Sequence, residues 1–68
     1  MYAIIDTTTM FVANRTKHYF FVKSSRFTKN GWQTKTTRMP HEAKKYKTYQ
    51  RAYYAARRMG NQYNVVEI

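Results

Sequence analysis

Thirteen lysines and arginines against three acids give this 68-residue chain a formal net charge of +10. Such a set holds anions, and two stretches concentrate it. In residues 26–38, RFTKNGWQTKTTR, Asn30-Gly31 is the dipeptide that tolerates the positive φ values of a type I′ turn, and the flanks alternate as strands do. With Asn30 and Gly31 as the two turn residues, Arg26 falls opposite Lys35, Lys23 opposite Arg38, and Lys29 opposite Trp32. Like charges directly opposed on a sheet repel. The pairing therefore implies an anion between them, a shifted register, or side chains splayed into water. In the second stretch Arg51, Tyr54 and Arg58 stand at i, i+3 and i+7 of an expected helix. Arg57 lies beside them, and Lys44, Lys45 and Lys47 come just before. Cations take phosphates and rings stack on bases, so this mixture suits nucleic acid.

A charge run is often only a solvated face, but such faces alternate sign. Here Glu42 is the single acid between Asp6 and Glu67. Trp32 is a candidate stacking platform, with packing against Phe27 as the competing use. Adjacent Phe20 and Phe21 point to opposite faces of a strand, so one of them is expected on a face that a single helix leaves uncovered. That face is either a base-stacking surface or is covered by the first hairpin or a second copy. Sequence-specific readout has no motif to support it: no RNP sequence, zinc knuckle, Gly-rich KH loop or helix-turn-helix is present.

Catalysis has little to work with. The acids Asp6, Glu42 and Glu67 are scattered, and His18 and His41 are the only histidines. No nucleophile, no metal-binding set and no cofactor motif is expected. A basic ribonuclease built from His and Lys is the remaining enzymatic alternative. Cysteine is absent, which excludes disulfides and thiolate metal sites. No apolar run reaches the roughly 20 residues of a membrane span, and the opening MYAIIDTTT lacks signal-peptide character. A cytoplasmic protein, with no membrane role, is the expectation.

The elements that must position these groups fit one small domain, residues 1–68. A chain this short buries only about 60% of its unfolded surface. Aromatics at 18% still supply large areas to bury. Tyr2–Ile5 and Met10–Ala13 read as a first hairpin with Asp6–Thr9 as its loop. Residues 18–23, prolonged by 24–27, and 32–38 read as a second. Pro40 opens a short helical turn over His41–Tyr46. Thr48 caps a main helix over 49–59, and Gly60 stops it. Tyr49, Ala52, Tyr53, Ala56 and Met59 form the stripe expected to face the sheet. Residues 63–68 close the chain as a strand. The expected fold class is α+β: a mostly antiparallel sheet of four to five strands with one helix on one face, in the order β-β-β-β-α-β.

Residues 31–68 resemble a type of small, largely uncharacterised accessory protein found in phage and prophage genomes. The matching positions are Gly31-Trp32, Ala43–Thr48, Ala52-Tyr53-Tyr54-Ala55-Ala56 and Tyr63-Asn64-Val65-Val66-Glu67. The helix departs from that pattern by carrying Arg, Tyr and Gln without acids. The resemblance implies a phage origin and two competing tasks. One is binding nucleic-acid phosphates, DNA or RNA, with little sequence preference. The other is inhibition of a host nucleic-acid-processing protein, in the manner of an anti-CRISPR, through the same basic face. Either task fits a monomer or a homodimer. The expected contact residues are Lys23, Arg26, Lys29, Trp32, Lys35 and Arg38 from the hairpin, and Lys44, Lys45, Lys47, Arg51, Tyr54, Arg57 and Arg58 from the helical segment.

Overall fold

A computed structural model describes residues 1–68 as a four-stranded antiparallel sheet with one helix packed on it. The strands are β1 (Tyr2–Ala13), β2 (Thr16–Thr28), β3 (Gly31–Thr37) and β4 (Tyr63–Glu67), in the spatial order β3-β2-β1-β4. Helix α1 (Tyr49–Met59) lies between β3 and β4 in the chain. The α+β class and the helix boundaries are those expected. The two short strands expected at 2–5 and 10–13 are instead one long strand.

The reason lies in residues 6–9. Thr8 donates to Asp6 Oδ1 through both its N–H (2.9 Å) and its hydroxyl (2.6 Å). Thr7 donates to the Gln62 carbonyl through N–H (2.8 Å) and hydroxyl (2.7 Å). These bonds, one pair local and one pair reaching Gln62, satisfy the segment, so it becomes an irregularity in β1 and not a loop. Pairing passes from Asp6↔Phe20 directly to Met10↔Tyr19. The reversal comes later, at Asn14 (φ 53°) and Arg15 (φ 65°), between the paired Ala13 and Thr16. Two consecutive positive φ values are the geometry of a type I′ turn.

The Asn30-Gly31 hairpin also differs from expectation. Thr28 pairs with Gly31, which leaves Lys29 and Asn30 in the turn. Only Gly31 has a positive φ, 102°, as in a turn followed by a glycine bulge. Thr28 Oγ1 fixes this shape by accepting from Asn30 N–H (3.3 Å) and donating to the Gly31 carbonyl (2.8 Å). The turn therefore moves by one residue, and each cross-strand partner of residues 24–28 by two.

Helix α1 forms where local chemistry directs. Thr48 has extended backbone and its Oγ1 accepts from Arg51 N–H at 3.3 Å. Gly60, at φ 148°, ends the helix with its N–H on the Ala56 carbonyl, 3.1 Å away. Ala52 and Ala56 are fully buried and bring the helix backbone close to Ile4, Val22 and Tyr63. Ala55 and Met59 complete the packed stripe, whereas Tyr49 and Tyr53, expected to face the sheet, sit exposed at its margin. Small residues at the contact let the helix approach, and the large rings are displaced to its flanks.

The helical turn expected over His41–Tyr46 covers only Pro40–Glu42, as one turn of 3₁₀ helix. Beyond it the chain is extended and works as a strap. Lys44 N–H donates to the Val22 carbonyl (3.1 Å), at the point where the β2–β3 register shifts. Tyr46 exchanges two backbone bonds with Tyr2, at 2.8 and 2.9 Å. No helix is long and apolar enough to cross a membrane.

Candidate nucleic-acid interface

The shifted register removes every directly opposed cation pair in the second hairpin. Arg26 faces Gln33, Lys35 faces Ser24, and Lys29 lies in the turn. Lys23 falls within the irregularity between Val22 and Ser24, and Arg38 lies past the end of β3. Arg26 and Lys35 still share a face, as diagonal neighbours, and with Ser24 and Gln33 they line an entirely polar groove of about 560 Å³. Diagonal spacing relieves the repulsion that direct opposition would impose.

The other face of the same hairpin is different. Trp32 and its partner Phe27 make an edge-on contact, with ring centroids 5.6 Å apart and planes at 70°. Tyr63 reaches from beneath the helix to share a 2.9 Å hydrogen bond with Thr34. That bond draws the hairpin toward α1, and a second groove of about 450 Å³ opens between them. Its walls carry Trp32 from β3, Lys44 and Tyr46 from the strap, and Arg51, Tyr54 and Arg58 from the helix. Three cations, three aromatic rings and no acid meet in one concavity.

Each of these side chains is placed by a backbone device. The strap is extended, so Lys44 and Tyr46, two residues apart, project to the same side. The Lys44 ammonium lies over the Tyr46 ring, 5.5 Å from its centroid. Burial raises the Tyr46 phenol above its ordinary value of 10.0. Arg51, Tyr54 and Arg58 come from one helix face by their spacing, and Gln50 reaches the Tyr54 hydroxyl at 3.4 Å. Comparison of the chain with protein-family models, with curated proteins and with solved structures found no match.

The groove thus brings together Trp32, Lys44, Arg51, Tyr54 and Arg58 from the expected set. The remaining expected residues lie elsewhere. Arg57 donates to the Tyr63 carbonyl and stacks over Tyr53, 5.4 Å from its centroid. Arg38 covers the rings of Phe11 and Phe20, at 4.9 and 5.8 Å. Lys45 Nζ donates to the His41 carbonyl at 3.0 Å. Lys29 and Lys47 are exposed outside both grooves. Lys23 lies near Glu42, whose carboxyl is held below its ordinary value. The main cause is the Thr37 hydroxyl, which donates to Glu42 at 2.6 Å, and the Lys23 and His41 charges add to it.

Ser25 and Tyr46 line the groove without having been expected there. For Tyr46 the signal was present: in an extended reading of Lys44-Lys45-Tyr46, the first and third residues share a side. Phe20 and Phe21 do take opposite faces, Phe20 beneath Arg38 and Phe21 paired with Ile5 on the face away from α1. No group of three or more His, Cys, Asp or Glu side chains comes together anywhere in the fold.

Proposed function

We propose that this protein is a non-enzymatic module that binds nucleic-acid phosphates, with little sequence preference, in the groove between α1 and the β2–β3 hairpin. The observation that carries this reading is the meeting of Lys44, Arg51 and Arg58 with three aromatic rings and no carboxylate. Phosphates release condensed counterions when cations bind them, and this term supplies most of non-specific affinity. A net charge of +10 on 68 residues also steers polyanions toward the surface. The sequence carries no known base-readout motif, so affinity across sequences should be nearly uniform. A cytoplasmic setting, in a host cell if the chain is of phage origin, agrees with such a partner.

The test is capture of partners from a cell lysate by the full chain, with and without nuclease treatment. Loss of the captured material after nuclease supports direct binding. A stoichiometric protein that survives nuclease would replace this reading with inhibition of a nucleic-acid-processing protein.

A further inference from the structure

The class of nucleic acid follows from the same groove, and the inference rests on that groove being the binding site. Its free space of about 450 Å³ is in the range that encloses one drug-sized molecule. A single nucleotide is of that size; a duplex is not. Both walls offer aromatic surface. Trp32 is 38% exposed and meets one aromatic neighbour, Phe27, through an edge-on contact. Tyr54, on the opposite wall, is 55% exposed and its ring meets Tyr53 at 60°. Rings left open beside cations can add base stacking to phosphate contact. A base within a duplex is already stacked on both faces and must be extruded before it could use them.

We infer that the groove selects single-stranded nucleic acid, with a base stacked on Trp32, Tyr54 on the facing wall, and the adjoining phosphates held by Lys44, Arg51 and Arg58. Duplexes bind only through backbone contacts at the groove's rim. Every base presents a π-face, so this selection is for strandedness and not for sequence.

Trp32 is the only tryptophan, so its fluorescence reports the groove directly. The experiment titrates the full chain at low salt with an eight-nucleotide oligo-dT, an oligo-rU of the same length, a duplex of the same length, and inorganic polyphosphate. Either single strand should change Trp32 emission, with the two arms separating DNA from RNA preference. Polyphosphate should bind without that change, and the duplex should bind at least tenfold more weakly than the better single strand. Trp32→Ala should weaken single-strand binding by roughly 5- to 140-fold, the range of one lost base stack, and Trp32→Phe should recover most of it. Tyr54→Ala, on an exposed helix position, supplies an independent loss if Trp32→Ala fails to fold. Equal affinity for duplex and single strand, with Trp32 emission unchanged, would overturn this inference and leave the phosphate-binding reading standing. No binding of any nucleic acid at low salt would remove both.

Discussion

The two flanks of helix α1 carry the same residue types and treat them oppositely. On the flank toward β4, Tyr49 stacks on Tyr53 at 6.0 Å and meets Tyr2 edge-on at 5.9 Å. Arg57 there covers Tyr53 and donates to the Tyr63 carbonyl. Its cation and rings are engaged with one another and with the backbone. On the flank toward β3, Arg51, Tyr54 and Arg58 line the groove, and neither guanidinium takes part in a hydrogen bond within the fold. A cation engaged by its own protein holds the fold. A cation left free on a concave wall, with no acid beside it, is available to a polyanion.

Charge reversal should separate the flanks most sharply. Arg51→Glu with Arg58→Glu should lower oligonucleotide affinity by roughly 100-fold or more at low salt, because like charges brought together cost several kcal/mol. Thermal stability should change little, which thermal melts can check. The same reversal at Arg26 and Lys35, on the polar face of the hairpin, should cost far less affinity; an equal loss there would move the site to that face. Arg57→Ala should act the other way. It should destabilise the fold by about 1–2 kcal/mol in chemical denaturation, through loss of a charged hydrogen bond to backbone, and leave affinity within a few-fold.

The smallest expected effect lies away from both flanks. Glu42 has a lowered folded-state pKa, so its contribution to stability is present above its ordinary value of 4.5 and is lost as pH falls through the folded value. Thr37→Val removes the hydroxyl that causes most of the shift. An NMR titration should show the Glu42 midpoint rising toward the ordinary value in that variant. Groove affinity should not follow it, since Glu42 is not in the groove.

How much of this was legible in the chain depended on the range of the interactions involved. Helix α1 was readable because Thr48, the Ala52 and Ala56 pair, and Gly60 act within a turn or two of their own positions. The α+β class followed from the same local signals. Hairpin register was not readable. Asn30-Gly31 fits a type I′ turn, but Lys29 and Asn30 form an equally short one once Thr28 bonds across it and Gly31 takes the positive φ. Moving the turn by one residue then moves every cross-strand partner of residues 24–28 by two. The irregularity at Thr7–Thr9 depends on the Gln62 carbonyl, 55 residues away from Thr7. The groove combined both kinds. Arg51, Tyr54 and Arg58 could be grouped by helical spacing, and Lys44 with Tyr46 by the shared side of an extended segment. The place of that segment at the groove depends on bonds to Tyr2 and Val22 that no local pattern reveals.

The salt dependence of single-strand binding tests the central claim most directly. Affinity for an oligo-dT should fall with rising salt at a slope of roughly −2 in a double-logarithmic plot, for about three phosphates neutralised on a single strand. In Arg51→Gln with Arg58→Gln the slope should flatten by about 1.4, because two of those contacts are gone. An unchanged slope in a folded double variant would mean that these two arginines touch no phosphate, and the groove would not be the site.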